Sequence, residues 1–175
     1  EISIRDNGTI IGRQGSKILK GQGTAFRYAG KADNVKITGL TIEMQALSGN
    51  DNVFFLGDTT TKSYGLIFNN NKIQSHRLSG TIVVVNNVNN IILHGNSVDS
   101  SDNKGIEFKS VVNADVAYNS VTNNGRSGIN VQDGNRAVNV HHNYGKGSAQ
   151  TKDLTDGVFD IYGPDNEDIT FESNY

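Results

Sequence analysis

In the stretch Ile91-Ile92-Leu93-His94-Gly95-Asn96-Ser97-Val98, Ile91 and Leu93 alternate with other residues, Asn96 follows three positions on, and Val98 two after that. The same pattern returns at Leu66, Phe68, Asn71 and Ile73, and at Ala114, Val116, Asn119 and Val121. It returns at Val138, Val140 and Asn143, with Gly145 in the last place, and begins again at Ile169, Phe171 and Asn174. Val35, Ile37, Leu40 and Ile42 fit with Leu in the Asn place, and Ile2, Ile4, Asn7 and Thr9 read as a first copy. Successive copies lie about 23 to 33 residues apart, a spacing that marks a solenoid.

A second strand-like run precedes most copies, as in Ala25 to Tyr28, Val53 to Leu56, Thr81 to Val85, Ile106 to Lys109, Ile129 to Gln132 and Val158 to Tyr162. Gly80, Gly105, Gly128 and Gly157 stand just before several of these runs. Glycine there is expected to supply the positive φ of a sharp corner. Period-2 alternation, β-branched residues and frequent Asn and Gly exclude a helical reading. A β-sandwich would not need an Asn at one register of each repeat. A parallel coil gives it a reason, because equivalent residues stack about 4.8 Å apart and inward amides then bond one another as a ladder. The expected fold is all-β: a right-handed, single-stranded parallel β-helix of about six coils, one domain over residues 1–175. The chain starts at Glu1 inside a strand-like run and stops inside another, so it is expected to be a fragment of a longer chain.

Ser127 to Val131 followed by Val138 to Asn143 resembles the repeats of the pectate-lyase-like superfamily of parallel β-helices. That resemblance implies the fold and a polysaccharide partner, in an enzyme, a phage tailspike depolymerase or an adhesin. Thr155-Asp156-Gly157-Val158-Phe159-Asp160 is similar to the Asn-Thr-Asp-Gly-apolar-Asp motif of polygalacturonase-like glycoside hydrolases, with Leu154 in place of the Asn and Phe159 as an extra residue. On that resemblance Asp156 is a catalytic carboxylate and Asp160 a supporting one. The family's later motifs have no counterpart in this chain.

The chain has 175 residues, of which 35% are hydrophobic and 19% charged, with 20 Gly, one Pro and no Cys. The lack of Cys excludes disulfides and thiolate metal sites. A net charge of -2 and a pI near 6.1 leave no electrostatic footprint for nucleic acid. No apolar run approaches the ~18 residues of a membrane span. The glycine-rich stretch from Gly12 to Gly23 lacks the ending of a phosphate loop. No regular Thr array supports an ice-binding face.

The interior of a β-helix is filled, so chemistry is expected on an outer face or in loops. If the glycines mark one corner, Ile82, Glu107, Asn130 and Phe159 form one column, Val84, Lys109 and Gln132 the next, and Lys104, Arg126 and Asp156 precede the corner. Carboxylates beside an Arg suit sugar-acid chemistry: one carboxyl protonates a leaving oxygen while another activates water or attacks, and a cation eases proton abstraction in a lyase. The candidate catalytic residues are therefore Asp156, Asp160 and Glu107. The candidate substrate-binding residues are Arg126, Lys104, Asn130 and His141. The alternative is a solvated face of cross-coil ion pairs, which goes with a non-catalytic glycan-binding shaft or adhesin. The connections Ile10 to Thr24, Glu43 to Asn52 and Tyr144 to Asp156 could wall a groove. His94 and His141 share one slot two coils apart, roughly 10 Å, too far to share a metal. Of His141 and His142, only one faces solvent unless the chain bends. The loops at Asp99 to Asn103 and Asp165 to Asp168 lack calcium-loop spacing, and no metal or cofactor is expected. The expected setting is extracellular or a virion tail. A tailspike would be a homotrimer, with Ile82 and Val84 available for packing between shafts.

Overall fold

The computed structural model describes residues 1–13, 17–20, 23–28, 30–44, 52–148 and 157–175. Their strands form three parallel sheets that wind as a right-handed β-solenoid. Sheet A stacks Ile2–Ile4, Phe26–Tyr28, Phe54–Gly57, Val83–Asn86, Ile106–Lys109, Ile129–Gln132 and Phe159–Tyr162. Sheet B stacks Thr9–Ile11, Val35–Thr38, Ser63–Asn69, Val88–His94, Val112–Ala117, Arg136–His141 and Glu167–Glu172. Sheet C stacks Ile18–Lys20, Thr41–Met44, Lys72–Leu78, Ser97–Ser101, Ser120–Thr122 and Tyr144–Lys146. Each coil thus contributes one strand to each sheet, except that the last adds strands to sheets A and B alone, and the repeat read from the sequence is the sheet B strand, the bend after it and the sheet C strand. Among the described residues, no helix is long and apolar enough to cross a membrane.

The period of 2 sends alternate side chains inward. One inward column on sheet A runs Ile2, Phe26, Phe54, Val83, Ile106, Ile129 and Phe159. Phe26 and Phe54 stack with centroids 4.7 Å apart, and Phe54 meets Phe68 of sheet B edge-on at 4.9 Å. On sheet B, Ile37, Phe68, Leu93, Val116 and Val140 share a column and are buried. Ile161 is in register with buried Val131 yet is 46% exposed, because no described strand covers its far side.

The bend between sheets B and C carries the asparagine ladder. The side-chain amide of Asn71 donates to Oδ1 of Asn96 at 3.0 Å, Asn96 to Asn119 at 2.9 Å, Asn119 to Asn143 at 2.9 Å and Asn143 to Asn174 at 3.0 Å. Each Oδ1 also accepts the backbone N–H of the preceding rung, beginning with Leu40 N–H on Asn71. The second amide hydrogen goes to a backbone carbonyl of the preceding coil, as from Asn119 to Leu93 at 2.9 Å. Just before each rung stand Gly39, Asn70, Gly95, Tyr118, His142 and Ser173, all at φ between 48 and 69°. This left-handed column turns the chain and aims the next amide inward.

Three sequence expectations need correction. Asn7 is not the first rung: Ile2–Ile4 pairs with Phe26–Tyr28 in sheet A, and Asn7 accepts from the Asn34 amide at 3.2 Å at another bend. Its spacing matched because an apolar alternation followed by a bend Asn occurs in sheet A as well. Gly105 and Gly128 are not at positive φ. They are needed for room: a Cβ on Gly105 would lie 2.7 Å from the Gly128 carbonyl oxygen, and one on Gly128 would lie 2.8 Å from that of Val158. Ile82 and Val84 are buried within the chain, so they offer no packing surface between shafts.

Asn119→Ala removes two acceptor bonds and two donor bonds from a buried bend. At ~1–3 kcal/mol for each buried group left unpaired, the variant is expected to lose about 3–5 kcal/mol in urea unfolding. Asn7→Ala, at an exposed position, is expected to lose less than ~1 kcal/mol. Equal losses for the two would refute the ladder as the main constraint.

Candidate functional site

The sheet A strands place Ser3, Arg27, Phe55, Val84, Glu107, Asn130 and Asp160 in one outward row. The expected column was shifted: Glu107 is beside Val84, not Ile82, and Asn130 is beside Asp160, not Phe159. The reason is the buried turn ahead of each strand, which sets the register through bonds such as Gly105 N–H to Ser127 O and Gly128 N–H to Val158 O. Glu107, Asn130 and Asp160 are thereby adjacent on three successive strands.

Within this row Glu107 and Asn130 are polar yet buried, and Asp160 is half-buried. Lys104 and Glu107 are each 6% exposed, and Asn130 is 1% exposed. The Lys104 ammonium bonds both Glu107 and Gln132, and Lys109 reaches the other Glu107 oxygen at 3.4 Å. Glu107 is thus held between two cations. The Asn130 amide donates to Asp160 Oδ2 at 3.0 Å, and Ser127 Oγ donates to the same oxygen at 3.3 Å. Asn130 Oδ1 is buried and, among the described residues, has no hydrogen-bond partner. Arg126 precedes this strand, with its N–H on Asn103 O at 2.9 Å. Asp156 lies outside the described residues, as does most of the loop from Tyr144 to Asp156 and the stretch 45–51.

The structure does not bring His141 to this row. It lies on sheet B, in register with Ala117 and, two strands away, His94. A carboxylate missed in the sequence joins the two histidines: Asp115 accepts His94 Nε2 on Oδ2 at 2.9 Å and His141 Nε2 on Oδ1 at 2.7 Å. Asp115 stands two residues before Ala117 on the same outward face, so the period of 2 held the signal. His142 also faces outward, because the chain bends there at φ 52°. Its Nδ1 lies 2.9 Å from His141 Nδ1. The Tyr118 ring packs against His94, His141 and His142, with centroids 5.4 to 6.2 Å away. Desolvation pushes the Asp115 carboxyl up, but the hydrogen bonds from His141 and then His94 outweigh it and hold its pKa below the ordinary carboxylate value.

A right-handed β-helix region profile matches residues 2–174. The chain belongs to the right-handed β-helix family. Among curated proteins and solved structures, none matches it. Family membership explains the stacked coils and leaves the chemistry to the outer faces. On those faces, no group of three or more His, Asp or Glu among the described residues encloses a metal ion. Asp99, on a sheet C strand, bonds the next coil instead: its Oδ1 accepts from the Thr122 hydroxyl at 2.6 Å and the Asn123 amide at 2.8 Å.

Two outcomes follow from these contacts. Lys104→Met leaves Glu107 buried beside a single, more distant cation, and is expected to cost about 3–5 kcal/mol in chemical denaturation. Lys104→Met with Glu107→Met together should recover most of it, and failure of the double variant to recover would refute the pairing. Asp115 is a carboxylate with a depressed folded pKa. Its stabilising contribution is present above the unfolded value of ~3.9 and fades as pH falls through the lower folded value. Asp115→Asn is therefore expected to flatten the acid limb of a melting-temperature profile below about pH 4. An unchanged limb would show that neither histidine holds the carboxylate in solution.

Proposed function

We propose that this β-helix acts on a polysaccharide bound along the outer face of sheet A, as a glycoside hydrolase or lyase. The observation that carries this reading is the row of buried Glu107 and Asn130 with half-buried Asp160, and the unpartnered Asn130 Oδ1 within it. An outward strand position can leave polar groups in water at no cost. Burying them is expensive, and a buried acceptor without a donor calls for an explanation in function. A sugar hydroxyl supplies such a donor. The long stacked face suits an extended chain of sugars, which also agrees with the resemblance to pectate-lyase-like repeats.

In this reading Asp160 is a catalytic carboxylate, aligned by Asn130 and Ser127, and Asp156 is its partner. Glu107, engaged by Lys104 and Lys109, shapes the site and does not transfer protons. Arg126 contacts the glycan, and Lys104 and Asn130 support the site from beneath. Polysaccharide outside the cell is the matching substrate, and a secreted enzyme or a trimeric virion tailspike is the matching setting. That engagement of Glu107 also favours a second reading, a glycan-binding shaft or adhesin without catalysis, because it removes one carboxylate from acid–base work.

The test incubates the chain with acidic and neutral polysaccharides and follows reducing ends and unsaturated-uronate absorbance together. Reducing ends alone mean hydrolysis, and absorbance means elimination. Asp160→Asn and Asp156→Asn are each expected to lower the rate by about 10²–10⁴-fold, the usual weight of a general acid or base, with glycan binding retained. Binding without turnover in the unsubstituted chain would establish the shaft reading. Neither binding nor turnover on any polymer would overturn both.

A further inference from the structure

Three of the chain's four histidines meet at the corner between sheets B and C, away from the sheet A row. Their arrangement has a chemical direction. Asp115 is ionised and accepts, so His94 and His141 both present Nε2–H to it. In neutral His141 this leaves Nδ1 with a bare lone pair, turned toward His142 Nδ1 at 2.9 Å. A histidine that gives one ring N–H to a carboxylate and offers the other nitrogen is the usual form of a metal ligand.

We propose that His141 and His142 bind a Cu(II)-class transition-metal ion through their two Nδ1 atoms, with Asp115 as the positioning residue. The donors select the metal. Imidazole nitrogen suits Cu, Ni, Fe and Zn, and among the divalent first-row ions Cu(II) binds such nitrogens most tightly. The 2.9 Å between the two Nδ1 atoms is the hydrogen bond that the metal replaces. Among the described residues no third ligand of this kind encloses the ion, and in the proposed site water completes its coordination.

Binding needs little rearrangement. His142 is exposed, and it moves its proton from Nδ1 to Nε2 with no net proton released. The two rings stand at 85° with centroids 5.1 Å apart, and a turn of the His142 side chain brings both lone pairs onto one point. His94 occupies the second Asp115 oxygen and keeps the carboxylate from swinging away. The left-handed bend at His142, which costs about 1–2 kcal/mol for a residue with a Cβ, is what puts two sequence neighbours on the same surface.

The test titrates the chelator-stripped chain with Cu(II) by calorimetry and by electron paramagnetic resonance. One ion per chain is expected, with a tetragonal spectrum and coupling to two nitrogens. His141→Ala and His142→Ala should each weaken binding at least ~10-fold, and Asp115→Asn by about 10–100-fold, the range for loss of a partner behind the ligand. His76→Ala should change nothing. Matching circular dichroism spectra will show that each variant keeps the fold. Three results would overturn the proposal: Cu(II) affinity equal to that of the doubly substituted His141→Ala/His142→Ala chain, affinity unchanged in Asp115→Asn, or Zn(II) bound more tightly than Cu(II).

Discussion

Five asparagine side chains, each bonded to the next, set the geometry of this solenoid. An amide has a donor side and an acceptor side, and here all point the same way, from Asn71 toward Asn174. Aligned dipoles in a dry interior strengthen one another. The ladder also tolerates little slippage. A one-residue shift of any coil would swing its Asn to the other face and leave two neighbours unpaired. A single bend therefore fixes the register of sheets B and C along the length of the coils, and loops elsewhere can vary in length without disturbing it.

That division explains what was legible in the sequence. The ladder rungs at Asn71, Asn96, Asn119, Asn143 and Asn174 were readable because one residue type is required at each, and the inward columns were readable from their period. A second, shorter amide stack was not. Asn135 donates to Asn166 at 2.9 Å, and its Oδ1 accepts the Val111 N–H at 3.0 Å. With only two asparagines in that column, no repeat rises above the general abundance of Asn. The glycines ahead of the sheet A strands were placed correctly and given the wrong cause, since close backbone approach and positive φ select the same residue.

Outer-face neighbours were legible only as far as register could be carried across the variable turns. The group Lys104, Glu107, Asn130 and Asp160 does come together, yet the column was shifted at Ile82 and Phe159. The slip was two residues at Ile82 and one at Phe159, and a one-residue slip is enough to change which face a side chain occupies. The link from His94 to Asp115 to His141 is harder still to read. It runs diagonally, joining one row of sheet B to the next, and neither a column nor a strand contains it.

A solenoid built this way separates the work of folding from that of chemistry. Inward positions and bends hold the register, so an outward residue can be replaced without moving its neighbours. Polar burial on an outward face is then unnecessary for the fold, and a buried ion pair is weak support for stability. The sheet A row bears that cost at Lys104, Glu107 and Asn130, while the outward rows of sheet C, with Ser97, Asp99, Ser120 and Thr122 at intermediate exposure, largely avoid it. The strain at Tyr118 and His142 has the same character. Gly39, Asn70 and Gly95 turn the same bend on earlier coils at little cost, and the costlier Tyr118, His142 and Ser173 turn it on the later ones, the first two of them where imidazoles gather around Asp115. Where a repeating structure departs from its cheapest residue at consecutive rungs, something other than the repeat has selected the side chains.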